Sequence, residues 1–267
     1  MSTRIQQTFD RLRASNEGAL VNFITAGDPS IKHTADLIVT LADAGADVIE
    51  LGIPYSDPLA DGPSIQASSQ RALDRGVTPP MVLDMVRQAR ERTDVPLVLM
   101  TSYNLVLRSG LTKFAHDAHM AGADGTILTD LPPEEAAHWK SASENEGLST
   151  IFLVAPTSTP IRIQTIADNT TGFVYCVSRT GVTGARTEMA AELAQFLQSI
   201  RAKTDKPLCV GFGVSTPQHV HEVIGMADGA VIGSALVDFL FHNADNPDQD
   251  TAIRALVGSW KAATRRG

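Results

Sequence analysis

Cysteine is close to absent from this chain of 267 residues, and the only two, Cys176 and Cys209, lie inside apolar runs with no second ligand at metal spacing. That argues against a disulfide framework and against zinc, and leaves two reduced, buried thiols as the expectation. Basic residues are in the minority, 22 Lys and Arg against 30 Asp and Glu, for a formal charge of −8. Such a chain has no general attraction for nucleic acid or an anionic membrane, so a phosphate ligand must be held by local groups. Also missing is any run of about 18 apolar residues, which excludes a spanning helix of the usual kind. The first residues, Met1-Ser2-Thr3-Arg4, lead into polar sequence rather than an apolar signal core, and a cytoplasmic location is expected. What is present is an ordinary globular balance, 43% hydrophobic and 19% charged, far from the composition of disorder.

Short β-rich runs alternate with helical patterns from end to end, the sequence form of βα units around a parallel sheet. The candidate strands are Leu20 to Thr25, Asp47 to Leu51, Leu97 to Thr101, Gly125 to Thr129, Thr150 to Val154, Phe173 to Val177, Leu208 to Gly211 and Ala230 to Ile232. They are continuous apolar stretches rather than alternating ones, as parallel strands covered on both faces should be. Between them the period lengthens: Ile31, Ala35, Ile38 and Ala42 share one helical stripe, and Met189, Leu193, Phe196, Leu197 and Ile200 share another. Ala44-Gly45-Ala46-Asp47 and Ala121-Gly122-Ala123-Asp124 each close a helix and open a strand, with Gly45 and Gly122 suited to the left-handed position after a helix. The same grammar recurs imperfectly at Met226-Ala227-Asp228-Gly229. The expectation is an α/β chain in one domain spanning residues 1 to 267: a (β/α)8 TIM barrel with extra helices, a fold that typically takes about 250 residues.

In such a barrel the active site forms where the strands end, so polar residues interrupting apolar runs there carry the chemistry. Glu50 is the clearest, a carboxylate flanked by Ile49 and Leu51 where burial is costly without a purpose or a partner. A structural ion pair with a barrel Arg or Lys is the competing explanation. A long loop follows, Pro54 to Pro63, presenting Asp57 and Asp61. Turn or cap duty accounts for Asp57, and for Asp61 the pattern alone leaves both readings open. Glycine-rich segments follow three later strands: Thr180 to Gly184, Gly211 to Gly213, and Gly233-Ser234. The last two stand where barrels of this kind often bind phosphate through backbone amides and a helix N-terminus, so a phosphorylated substrate is implied. His116 and His119 are helical neighbours without a third ligand, and a solvated helix face explains them better than a metal site does.

The stretch Leu51-Gly-Ile-Pro-Tyr-Ser-Asp-Pro-Leu-Ala-Asp-Gly-Pro-Ser-Ile-Gln66 resembles the signature of the tryptophan synthase α-subunit family almost residue for residue. Supporting matches run the whole length, from Phe23-Ile-Thr-Ala-Gly-Asp-Pro29 through Asp130-Leu-Pro-Pro133 to Ser178-Arg-Thr-Gly-Val-Thr-Gly184. The resemblance implies a lyase of tryptophan biosynthesis that splits indole-3-glycerol phosphate into indole and glyceraldehyde-3-phosphate. It implies Glu50 as the acid/base residue and Asp61 as the contact to the indole nitrogen. Phe23 and Tyr175 would line the substrate cavity, and Gly184, Gly213, Gly233 and Ser234 would hold the phosphate. The loop from Arg179 to Arg186 would close over the site, with Thr183 bonding Asp61. No metal or organic cofactor is implied for this chain. Pyridoxal phosphate would belong to a partner β subunit, joined in an α2β2 complex through the loop after the second strand and Asp130 to Pro133.

Environment should then separate the two carboxyl groups: Glu50 with its pKa raised by an apolar setting, Asp61 ionised in a wetter loop. Asn22, Ala67, Ser102 and Phe173 depart from the family pattern; Ser102 removes an aromatic near the indole and Ala67 a polar interface group, which puts substrate affinity and coupling to a partner in question more than the reaction. Three rivals stay open at this point. They are a stand-alone indole-glycerol phosphate lyase, a different phosphate-binding barrel such as an epimerase or aldolase, and a non-catalytic activator of a β subunit. No Schiff-base lysine at a strand end supports the aldolase.

Overall fold

The computed structural model describes residues 2–58, 61–178, 186–211 and 213–267, without the side chains of 186–190. A helix, α1 (Arg4–Ala14), precedes β1 (Ala19–Thr25), which leads through α2 (Thr34–Asp43) to β2 (Val48–Gly52). Two helices, α3 (Pro63–Asp74) and α4 (Pro79–Arg90), separate β2 from β3 (Leu97–Thr101). Two more, α5 (Tyr103–Ser109) and α6 (Leu111–Ala121), separate β3 from β4 (Gly125–Leu128). After α7 (Ala137–Asn145) come β5 (Ser149–Ile151) and β6 (Leu153–Val154), then α8 (Pro160–Asn169) and β7 (Val174–Val177). The series ends with α9 (Arg186–Arg201), β8 (Leu208–Gly211), α10 (Pro217–Ile224), β9 (Gly229–Ile232), α11 (Ser234–His242) and α12 (Gln249–Ala262).

The strands form one parallel sheet in the order β5-β4-β3-β2-β1-β9-β8-β7-β6. Its two outermost strands are consecutive in the chain and separated by Phe152 alone. β5 pairs with β4, β6 pairs with β7, and the Phe152 carbonyl accepts the Tyr175 amide at 3.1 Å. The run read as a single strand, Thr150 to Val154, therefore serves one neighbour with its first half and the other with its second. That stagger is what closing a sheet into a barrel demands. The architecture is the TIM barrel expected, with the fifth strand divided in two.

Side chains alternate along each strand between two cores. Ala19, Val21, Val48, Val98, Ile127, Ile151, Tyr175, Cys209 and Val231 fill the barrel, joined from below by Ile5, Phe9 and Leu12 of α1. Phe9 meets Phe173 with ring centroids 5.9 Å apart, so α1 plugs the end where strands begin. The alternate residues, among them Leu20, Ile24, Ile49, Leu51, Leu97 and Leu99, pack outward against the helices. In the second predicted stripe Leu197 and Ile200 are buried, with Leu193 and Phe196 packed partly against them, while the Met189 side chain lies outside the described residues. Ile31 precedes α2 rather than joining it.

The repeated strand-opening grammar has a physical basis. Gly45 and Gly122 take φ of 112° and 96°, as a helix stop requires. The aspartate two residues on receives the amide of an adjacent strand: Asp47 accepts from Leu20 at 2.9 Å and Asp124 from Leu97 at 2.9 Å. Asp228 does the same for Leu208 at 2.9 Å without the glycine. Each carboxylate is also paired with cations, Asp47 with Lys261, Asp124 with Arg90 and Arg4, and Asp228 with Arg201. With that end plugged and fastened, the chemistry is left to the other.

Candidate active site

Glu50 lies on the inward face of β2, between Phe23 of β1 and Val98 of β3 in the strand register. It has no exposed surface, and neither carboxylate oxygen has a hydrogen-bond partner among the described residues. Among the described residues, then, no ion pair of the competing structural kind holds it. Burial raises its pKa to about 8, so at neutral pH the carboxyl is mainly the neutral acid.

Asp61 ends the loop that leaves β2. Its amide donates to the Pro58 carbonyl at 3.0 Å, and its own carbonyl accepts from Gln66 Nε2 at 2.8 Å. The loop runs into α3, which is held against its neighbours at three points. Ser68 shares a 2.6 Å hydrogen bond with Thr25 at the end of β1, Ser64 donates to Asp238 of α11 at 2.8 Å, and the Arg71 guanidinium lies 4.0 Å from the centre of the Phe241 ring. Asp61 is drier than the expected open loop: burial raises its pKa to about 6. It remains mostly ionised at pH 7, and the separation of the two carboxyl groups survives, at higher values than a wet loop would give.

Two aromatic rings complete the walls. Phe23 leans over Gly52, where an added Cβ would stand 2.7 Å from the ring Cζ. Tyr175 leans over Gly211 on the adjacent strand, where an added Cβ would stand 2.8 Å from Cε1 and Cζ. The Tyr175 phenol is pushed far up in pKa by burial and then by the Glu50 carboxylate, which places the two groups near each other inside the barrel.

One cavity gathers Phe23, Asp61, Tyr175, Gly213, Gly233 and Ser234, six of the residues named from the sequence. Glu50 is not on its wall but buried below it, in register beside Phe23. Thr183 and Gly184, and with them the Arg179 to Ala185 stretch of the proposed closing loop, lie outside the described residues. Ile65, Met100, Val214 and Val231 also line the cavity and escape a reading of the sequence, because an apolar side chain gives no sign of facing a ligand rather than the core. Met100 had one readable signal, its inward parity at the last turn of β3.

At the cavity's other end α11 begins at Ser234, immediately after β9. The Leu236 and Val237 amides are already bonded to the Gly233 carbonyl, at 3.0 Å each. The amides before them have no carbonyl within the helix to meet and suit an anion. Among the described residues no group of His, Cys, Asp and Glu could hold a metal ion, and no helix is long and apolar enough to cross a membrane.

The departures are scattered with respect to this cavity. Phe173 sits deep in the barrel against Phe9, the Asn22 side-chain amide is buried with no hydrogen-bond partner among the described residues, Ala67 is exposed on α3, and Ser102 is buried just ahead of α5.

The family model for the tryptophan synthase alpha chain matches residues 9–265. The chain belongs to that family. It is 52% identical to the tryptophan synthase alpha chain of Geobacter sulfurreducens over 98% of both chains, and 47% identical to that of Solibacter usitatus over 99% of this chain and 98% of the other. Among solved structures it resembles tryptophan synthase subunit alpha from Legionella pneumophila, with a TM-score of 0.92 and 38% identity over 99% of each chain. Tryptophan synthase from Mycobacterium tuberculosis gives 0.90 and 38% over 100% of each. Family membership covers the barrel and the order of its elements, and the cavity described above falls wholly within the matched residues.

Proposed function

We propose that this chain cleaves indole-3-glycerol phosphate to indole and glyceraldehyde-3-phosphate, with Glu50 and Asp61 as its two catalytic residues. The observation that carries the reading is the unpaired, fully buried Glu50 carboxyl beside a cavity whose wall holds Asp61. A carboxyl kept neutral by burial can donate a proton, and no side chain or amide among the described residues holds it.

The bond to be broken joins indole C3 to the first carbon of the glycerol chain. The neutral Glu50 carboxyl gives its proton to C3, and the positive charge this creates is shared with the ring nitrogen. Asp61, ionised, accepts the N–H bond and stabilises that charge. The Glu50 carboxylate then takes the proton of the adjacent hydroxyl. Its electrons form the aldehyde C=O, the C–C bond breaks toward the ring, and indole leaves with its aromaticity restored. Protons balance within the cycle.

Phe23 and Tyr175 hold the indole. Gly213, Gly233 and Ser234, at the start of α11, receive the phosphate, and Gly184 and Thr183 complete the site in the family's arrangement. The chain needs no cofactor for this chemistry; pyridoxal phosphate belongs to a tryptophan synthase β subunit. An α2β2 complex, docked through the loop after β2 and Asp130 to Pro133, and a cytoplasmic location go with the reading.

The test is to follow indole release from indole-3-glycerol phosphate by the purified chain, alone and with a β subunit. Slow release that rises sharply with the partner supports the proposal. Fast release unaffected by the partner points to a stand-alone lyase, and no release under either condition removes the lyase reading.

A further inference from the structure

The loop that carries Asp61 is irregular from Ile53 to Pro58, yet the carboxylate has to meet one N–H of the substrate from a fixed direction. At its start the loop is fastened to the neighbouring strand: the Ile53 amide donates to the Met100 carbonyl at 2.9 Å, and Thr101 Oγ1 donates to the Ile53 carbonyl at 3.3 Å. Past its middle the Gln66 amide bonds the carbonyls of Pro58 and Asp61, at 3.3 and 2.8 Å. Between these fastenings stands Tyr55, half-buried, with its hydroxyl 3.2 Å from Thr129 Oγ1.

This contact skips a strand. The order of the sheet is β4-β3-β2, so a side chain leaving β2 and reaching the residue after β4 crosses the end of β3. Thr129 is itself well held: its amide donates to the Thr101 carbonyl at 3.1 Å, and its hydroxyl reaches the same oxygen at 3.5 Å. With the Thr129 proton turned that way, its oxygen accepts and the Tyr55 hydroxyl donates. The Tyr55 phenol keeps its proton and can donate: burial raises its pKa, the bond with Thr129 works against that rise, and the carboxylates of Asp61 and Asp130 add to it. Asp130 faces it from a fixed position, accepting the Tyr103 amide at 2.6 Å at the head of α5.

We infer that Tyr55 is a positioning residue, whose hydrogen bond to Thr129 ties the Asp61 loop across β3 to the end of β4 and so fixes where the Asp61 carboxylate stands. The consequence for the reaction rests on the lyase reading above, whereas the tie is a property of the loop alone. A hydroxyl is needed on both sides: phenylalanine at 55 or valine at 129 keeps the packing and removes the bond. An unfastened loop leaves Asp61 better hydrated, since burial is what raises its pKa.

The experiment compares the full chain with Tyr55→Phe, Thr129→Val and the double variant. Turnover of indole-3-glycerol phosphate is measured across pH, and amide hydrogen exchange over residues 53 to 66. Each single change is expected to lower kcat about fivefold, the worth of one net hydrogen bond, with KM altered less. The double variant should lose no more than either single one, because both remove the same bond. The acid limb of kcat/KM, set by Asp61, should move to lower pH while the alkaline limb stays in place, and exchange of the loop amides should quicken in all three variants. Losses that multiply in the double variant, an acid limb that does not move, or unchanged loop exchange would overturn the inference. If the unaltered chain itself releases no indole, the lyase reading fails, and the exchange comparison still decides whether the tie exists.

Discussion

The ring of Tyr175 occupies the space that a side chain at Gly211 would need: a Cβ there would come within 2.8 Å of two ring carbons. The two residues face the same interior from adjacent strands, and the tyrosine is one wall of the cavity. Gly211→Ala must therefore displace the ring, and the free volume available to it is the cavity. We expect the substitution to lower kcat/KM for indole-3-glycerol phosphate at least about tenfold, through loss of orientation more than of stability. Binding of an indole analogue, compared with thermal melting of the same variant, checks this.

A second expectation concerns pH. Asp61 must be ionised and its pKa is about 6, while Glu50 must start protonated and its pKa is about 8. The profile of kcat/KM should be a bell that rises through the first value and falls through the second. Asp61→Asn should flatten the acid limb and leave the alkaline one. A profile with no alkaline fall would mean that a neutral carboxyl is not required.

Glu50 also carries a prediction about folding. Its pKa rises from the usual 4.5 to about 8 on folding, so between those values the folded chain binds more protons than the unfolded one. Stability then falls as pH rises through that window and is fully penalised above it. Glu50→Gln removes the penalty: the variant should be the more stable protein in urea at pH 8.5, with the difference vanishing near pH 4. The same variant should lose turnover by a factor of about 10² to 10⁴, the usual contribution of a general acid/base. A variant less stable than the parent at the higher pH would mean that Glu50 is held by a contact it makes when charged.

At the opposite end of the barrel Asp124 accepts the Leu97 amide and pairs with Arg90 at 2.7 Å, both side chains being largely buried. Asp124→Ala leaves that amide without its acceptor and the guanidinium without its carboxylate, bonded only to the carbonyls of Gly122, Thr93 and Val95, and should cost about 3–5 kcal/mol in urea unfolding. Activity per folded molecule should be unchanged, because the residue stands at the end away from the cavity. Asp124→Asn, which can still accept the amide, should lie between.

What could be read from the sequence follows from where charge and apolarity disagree. Glu50 was legible because a carboxylate inside Val48-Ile49-Glu50-Leu51 has no cheap explanation, and the strands were legible because burial on both faces leaves them uniformly apolar. The same uniformity hid Met100 and Val231, whose apolar side chains look alike whether they meet a substrate or a helix. The break at Phe152 was invisible because it is a matter of register between neighbours, not of any residue's character. Asp61 is legible as a loop residue, but its dryness is not, since the packing of α3 against β1 and α11 is a tertiary fact. Tyr55 and Thr129 stand 74 positions apart, and nothing local to either one announces the other.

The aspartates that open strands and the glutamate that sits within one answer opposite demands. Asp47, Asp124 and Asp228 each have a backbone amide and a basic side chain to hold, and a carboxylate so occupied is spent on fastening the fold. Glu50 has neither among the described residues, and on the proposed mechanism that isolation is what leaves its proton free to move. Sturdiness and speed thus pull apart at one position: any neighbouring change that supplied Glu50 with a donor would make the protein sturdier and its reaction slower.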